Sequence, residues 1–333
     1  MVELLFDGRR YAYWQQVEIR ESVDDLCASV RLAITRPGAG DALGLTPNTV
    51  VQVLADGHLV ATVRPDSLHR QVSAENHTIH LDARTLSREL VDCQHSVTMK
   101  GLKLGEVVKR LCAAFKVPVK IDVQTAVVLD FSMQCEVPAN ALINAARAAN
   151  LLLYALPDGG LILTSPTNAA PVATLEYGIN IMSYAVVDEW KLRYSEYRIK
   201  GYDHATNSAH SAVARDAGIS YFRPMHVIAD KHGQGVGGCD RRATLERNRR
   251  LARAHRLDMQ VAGWSHNGGL WAANTQVRVI IPHEGIDDVF LIGERTLSLD
   301  DKGGSITHLQ AMPRAAYLGV EKKKARRGAG VKK

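Results

Sequence analysis

Apolar residues recurring at every second position, broken by turn signals, dominate the opening quarter of the chain and restrict it to β-structure. Val30, Leu32 and Ile34 alternate with Ser29, Arg31 and Ala33, so the larger aliphatic side chains share one face of an extended strand. Val51 and Val53 lead into Asp56-Gly57, and Leu59, Ala61 and Val63 follow. An Asp-Gly pair between two such runs predicts a hairpin, because a tight two-residue turn needs positive φ. Short runs at Val17-Ile19 and Ile79-Leu81 add strands. Several short strands of this kind make a small barrel or a sandwich.

The period changes near residue 98. Leu104, Val107, Val108, Leu111, Cys112 and Phe115 fall at i, i+3, i+4, i+7, i+8 and i+11, one face of an amphipathic helix that Pro118 helps to stop. A second helix, from Ala139 to Asn150, follows Pro138, a residue suited to a first helical turn. Leu151–Ala155 and Leu161–Thr164 flank Pro157-Asp158-Gly159-Gly160 as a hairpin. Two helix-then-strand units predict a compact α+β module, with Thr167–Pro171 as its exit linker. Strands return from residue 172. Trp190, Leu192 and Tyr194 alternate, as do Val277, Val279 and Ile281, and Leu297 and Leu299 precede a polar turn at Asp300-Asp301-Lys302-Gly303-Gly304. One helix interrupts this region, Asp240–His255, with Asp240 as its N-cap.

Charge does not by itself indicate nucleic acid. The net charge is +6, but residues 321–333 carry seven Lys and Arg against Glu321, and removing them leaves 34 basic and 34 acidic residues. The excess belongs to a tail too poor in apolar residues to repay ordering. The five cysteines (Cys27, Cys93, Cys112, Cys135, Cys239) are scattered, odd in number and never spaced as C-x-x-C, which argues against a disulfide framework or a zinc ribbon. No signal peptide is visible, and no run reaches the roughly 20 apolar residues of a membrane span.

Motifs that carry chemistry are nearly absent from the sequence. Gly233, Gly235, Gly237 and Gly238 precede a helix, but Cys239-Asp240 stands where a phosphate loop needs Lys-Ser/Thr. A connecting loop is therefore expected. His77 and His80 lie at odd spacing in a strand and face opposite ways. No H-E-x-x-H or G-x-S-x-G occurs. No catalytic residue, cofactor or metal site is expected. Arg241, Arg242, Arg247, Arg249, Arg250, Arg253 and Arg256 against the single Glu246 form the one sharp charge feature of the body. Arg241, Arg242, Arg249 and Arg253 are the candidates to face a partner chain or transiting DNA; the alternative is a solvated, locally salt-bridged helix face. Trp264 and Trp271 flank Gly268-Gly269 and suit core or interface positions.

Read end to end, the chain resembles the Mu-like phage baseplate hub family, and more distantly the hub of T-even phages and the late control D proteins. The resemblance runs from Asp7-Gly8-Arg9, Trp14, Val17, Ile19, Ser22 and Asp24 through Met99–Leu104, Asn180-Ile181-Met182, Arg193–Tyr197 and Tyr221–Pro224. Gly263-Trp264, Gly269-Leu270-Trp271, Asn274, Val277–Val279, Asp301–Gly304 and Met312–Tyr317 close it. It spans nearly the whole chain through the order of its motifs. The family implies a mainly β, α+β fold: two β-barrel-like domains (1–92 and 172–318) flanking a small α+β module (93–171), with a basic tail at 319–333. It also implies a homotrimer in the virion tail baseplate, assembled in the host cytoplasm. Its implied partners are the spike, the tail tube or tube initiator and other baseplate proteins, with transient contact to passing DNA. The competing classes are a nucleic-acid-binding module using the arginine helix and tail, and a tail-associated cell-wall hydrolase.

Overall fold

Seven strands open the chain: β1 (Val2–Phe6), β2 (Arg9–Tyr11), β3 (Gln16–Ser22), β4 (Ser29–Thr35), β5 (Val51–Ala55), β6 (His58–Val72) and β7 (His77–Thr85). The computed structural model describes residues 2–12, 15–35, 44–73, 77–203, 207–229, 236–300 and 303–318. Asp56 and Gly57 turn β5 into β6 with φ of 48° and 81°, the positive values that the Asp-Gly pair requires. The strands pair antiparallel in the order β3-β4-β7-β6-β5-β1-β2. Leu4 of β1 and Ile19 of β3, from opposite ends of that order, bury into one cluster with Val30, Val53, Val63 and Leu81. The sheet therefore curls around its own core.

The middle segment contains α1 (Glu89–Asp92), β8 (His95–Lys103), α2 (Leu104–Ala114), β9 (Val119–Ile121), β10 (Val127–Glu136), α3 (Pro138–Ala148), β11 (Leu152–Ala155) and β12 (Leu161–Thr164). The periodic face of α2 is the buried one: Leu104, Val107, Val108, Leu111 and Cys112 face Met133, Leu142 and Leu163. Pro138 occupies the first turn of α3, where its missing N–H costs nothing. β10 pairs antiparallel with β8, and β9 runs parallel to β12. The β11–β12 turn seats against the opening strands. A Cβ added at Gly159, whose φ is +85°, meets Leu86 Cγ at 2.8 Å and the Thr62 carbonyl at 3.1 Å. Gly159→Ala should therefore lower the unfolding free energy by about 1–3 kcal/mol, read as an earlier urea midpoint.

The rest of the chain holds β13 (Ala173–Glu176), β14 (Ile181–Asp188), β15 (Glu196–Asp203), β16 (Ser208–Arg215), β17 (Pro224–Ile228), α4 (Val236–Arg253), β18 (His255–Ala262), β19 (Ser265–His266), β20 (Gly269–Leu270), β21 (Gln276–Ile281), β22 (Ile286–Asp300) and β23 (Gly304–Met312). Four sequence expectations need correction here. Trp190–Leu192 forms a turn of 3-10 helix rather than a strand, and Glu189 donates its backbone N–H to the Ala254 carbonyl there. The helix starts at Val236, so Asp240 lies inside it and is not its N-cap. It also ends at Arg253, with His255 and Arg256 already in β18. Buried Cys239 and Ala243 explain the early start, because they pack beneath Ile199 and Ala212 of β15 and β16. Gly237 and Gly238 are thus helical rather than loop, while Gly233 and Gly235 lie outside the described residues, as do Trp14, Asp301-Lys302 and the tail from 319.

The closing and opening strands share one sheet. β22 is 15 residues long and pairs with β21 along its first part and β3 along its second, with β23 on its other edge. Outward from this joint one side reads β3-β4-β7-β6 and the other β22-β23-β18-β14, antiparallel throughout. Each side is thus a row of four antiparallel strands reached in a different chain order; the first continues as β5-β1-β2, whereas beside the second β21 pairs with the first part of β22 and carries β13. Each side also encloses its own core, the second built on Leu257, Val277, Val279, Phe290, Ile292 and Leu309.

Candidate functional site

The joint is fixed by alternation across a single register. Ile19 faces Leu297, Glu21 faces Arg295 and Ser22 faces Glu294. Odd positions of β3 point inward, so Ile19 and Leu297 are buried together and Glu21 and Arg295 form an interior ion pair. Arg295 is 3% exposed. It donates to Glu21 Oε2 through Nε and Nη2 at 2.9 and 2.5 Å, and through Nη1 to the Trp271 carbonyl. Even positions point outward, and there Arg20 holds Glu294 in a two-pronged pair at 2.8 and 2.7 Å. Trp264 donates its indole N–H to the Ser298 carbonyl at 2.8 Å. Both Trp264 and Trp271 are buried, so they serve the core.

The outward face of the continuous sheet is polar on both sides of the joint. Gln16, Glu18, Arg31, His80 and Asp82 line one depression. Ser183, Asp258, Gln260, Glu294, Thr296 and His308 line a second, and Arg20–Glu294 sits between them. Arg31 lies 3.2 Å from Glu18 and 3.7 Å from Asp82. Each carboxylate on this face has an arginine beside it: Glu18 and Asp82 have Arg31, Asp258 has Arg256 at 3.1 Å, and Glu294 has Arg20.

The arginine helix is tied inward along much of its length. Arg241 is exposed and lines a cleft of about 190 Å³ against Val127 and Ala149 of the middle segment. Arg242 pairs with Glu246 at 2.9 Å, and Arg250 lies 3.8 Å from the same carboxylate. Arg253 donates to both oxygens of Asp24 at 2.5 Å, and Arg147 of α3 reaches Asp24 Oδ1 at 2.9 Å. Arg249 lies beside them and, among the described residues, has no hydrogen-bond partner. Asp24 thus gathers the opening strands, the middle segment and α4 at one point. Sequence reasoning did not single it out, since a carboxylate after a strand carries no local signal of arginines 123 and 229 positions away.

Burial by itself would raise the Asp24 pKa, but Arg253, Arg147 and Arg249 outweigh it and hold the carboxyl below its ordinary value. A depressed folded-state pKa contributes stability above the unfolded value near 3.8, and that stability is lost as pH falls through the folded value. Asp24→Asn should accordingly be less stable than wild type at pH 7, with the gap closing as pH drops below about 4. Urea titrations at a series of pH values check this; a pH-independent gap would contradict it.

One further surface stands out. The small sheet β16-β15-β17 and its approach loop expose Tyr221, Phe222, Ile228, Tyr202 and Val213, with Phe222 80% and Ile228 82% accessible. Its inner face, Tyr197 and Ile199, is buried. Tyr221 and Phe222 precede β17 at one end of the sheet, and Ile228 lies at the other, opposite Lys200.

Three consecutive stretches match known domain families. Residues 1–85 match "Mu phage baseplate assembly protein GpP-like, N-terminal". Residues 87–165 match "Baseplate hub protein gp44-like, second domain". Residues 238–319 match "Mu phage baseplate assembly protein GpP, fourth domain". Over 340 aligned positions the chain is 28% identical to the baseplate hub protein gp44 of Escherichia phage Mu, covering 95% of this chain and 89% of that one. Its fold is that of a tail protein from Neisseria meningitidis MC58 (TM-score 0.84, 23% identity, 95% and 97% covered). It is also that of the 43 kDa tail protein of prophage MuSo2 from Shewanella oneidensis (TM-score 0.82, 22% identity, 95% and 99% covered).

Proposed function

Because the chain belongs to the family of Mu-like phage baseplate hub proteins, we propose that three copies close into a ring at the base of a contractile tail. The ring joins a sixfold tail tube to a threefold spike and surrounds the central channel. The observation that supports this reading is the row of four antiparallel strands on each side of the joint, β3-β4-β7-β6 and β22-β23-β18-β14. Three copies of a chain with two like halves offer six similar contacts to the tube, while the ring as a whole keeps threefold symmetry for the spike. In this arrangement residues 1–92 and 172–318 alternate around the ring, and the α+β segment 93–171 lies at its periphery.

The polar outward face of the shared sheet lines the channel. Its arginines are paired with carboxylates on the same face, which suits passing DNA, because a lining with few uncompensated cations does not retain phosphate. Tyr221, Phe222 and Ile228 meet a second copy. Of the four arginines, Arg241 is the one placed to reach a partner subunit; Arg242, Arg249 and Arg253 act within the chain. The protein works through its interfaces and carries no catalytic role.

Sedimentation or light scattering at micromolar concentration tests this, and a particle of three 36.5 kDa chains is expected. A species that stays monomeric in the presence of spike and tube proteins would contradict it. Two controls separate the rivals. A hydrolase would clear peptidoglycan in a zymogram, and none is expected. A nucleic-acid module would bind DNA with a steep salt dependence in monomeric form, whereas the internally paired arginines predict weak binding.

A further inference from the structure

The cleft of about 190 Å³ between the middle segment and the first turns of α4 has an apolar wall and a cationic rim. Leu104, Val128 and Leu245 line it and are buried, while Ala145, Ala149 and Gly238 are too small to fill it. Val127 at its edge is 55% exposed, and Leu129, on the same side of β10, is 79% exposed. Among the described residues, the charged side chains that line it are Arg241 and Arg242. Arg242 holds Glu246 through Nη2 at 2.9 Å, and its Nη1 is buried with no hydrogen-bond partner. Arg241 is exposed and pairs with no carboxylate among the described residues.

An apolar cavity of about 150 Å³ takes one benzene molecule, so this space suits one large aliphatic or aromatic side chain. Two guanidiniums in the lining, one with an unpaired buried donor, suit a carboxylate brought in beside that side chain. The chain's own candidates lack this combination. Residues 230–235 hold no apolar side chain, and residues 319–333 carry seven Lys and Arg against one Glu. In a second copy the two most exposed large apolar side chains among the described residues, Phe222 and Ile228, stand beside Arg223 and opposite Lys200. Arg241 repels either approach.

We propose that the cleft docks a segment of another baseplate protein that carries a large apolar side chain with an Asp or Glu within two residues of it. The apolar side chain fills the space beside Ala145, Ala149 and Gly238, and the carboxylate meets Arg241 and the free Nη1 of Arg242. The docking rests on the chain acting in a baseplate, and not on its closing into a ring of three.

The test places the photo-reactive residue p-benzoylphenylalanine at position 129 of the full-length chain and irradiates assembled baseplates. Mass spectrometry should find it joined to one peptide of another baseplate protein, with an acidic residue beside a large apolar one. Arg241→Glu in the same chain should cut the yield about tenfold or more, because like charges then face each other. Arg241→Gln should cut it less, and changing the acidic residue of the captured peptide to Lys should restore it against Arg241→Glu. Arg241 is exposed, so the melting midpoints of both variants should match that of the unsubstituted chain. A crosslink to the same chain or to a second copy, no crosslink, or a yield indifferent to the charge at 241 would overturn the proposal. A charge-dependent crosslink from a hub that does not form threes would remove the ring and leave the docking site standing.

Discussion

Arg295→Met is expected to lower the unfolding free energy by about 3–5 kcal/mol, because it leaves the Glu21 carboxylate buried at the joint with no countercharge. Glu21 and Arg295 contact each other directly across the β3–β22 register, and Arg295 also satisfies the Trp271 carbonyl. Its removal thus orphans a charge and a backbone acceptor together. The cost should fall on the connection between the two halves. Hydrogen exchange ought to show β3 and the second part of β22 losing protection before the cores around Leu4 or Val279. The double variant Glu21→Leu/Arg295→Met should recover most of the loss, since replacing both members of a buried pair by apolar groups is often neutral. A cost below about 1 kcal/mol for the single variant would mean that the pair is not desolvated as described.

Phe222→Ala is expected to weaken ring formation by about 30-fold or more while leaving the unfolding midpoint of the monomer unchanged. An aromatic anchor buried at the centre of an interface contributes about 2 kcal/mol or more, and 1.4 kcal/mol is a factor of ten. The side chain is 80% exposed in the single chain, so its truncation removes little intramolecular packing. Tyr221→Ala and Ile228→Ala should act in the same direction, and a concentration series by sedimentation measures all three. If association is unaffected, this patch faces another baseplate protein and the contact between copies lies elsewhere.

Much of the fold was legible because its signals are local. The Asp56-Gly57 turn, the i, i+3, i+4 face of α2 and Pro138 at the start of α3 each state their structure within a few residues. The joint was not legible in that way. Glu21 and Arg295 stand 274 positions apart, and the alternation in each strand specifies which face is buried without naming the partner strand. Trp190, Leu192 and Tyr194 show the converse failure, since their period of two is genuine but tertiary contacts bend the segment into a 3-10 turn. The arginine helix has partners that its composition does not display. Counting charges within α4 finds one carboxylate, whereas Arg253 is neutralised by Asp24 from the other end of the chain. Arg256 belongs to β18, beside Asp258. A charge run therefore reads as a free surface until its distant partners are known.

The proposed ring makes a direct prediction about how copies are arranged around the tail axis. Electron microscopy of the assembled ring, viewed down that axis, should show a threefold particle. Its inner wall should repeat six times, with the β3-β4-β7-β6 and β22-β23-β18-β14 units alternating at equal radius and Glu18, Asp82, Asp258 and Glu294 turned toward the opening. A particle in which the two units sit at different radii, or in which this face is buried between copies, would contradict it.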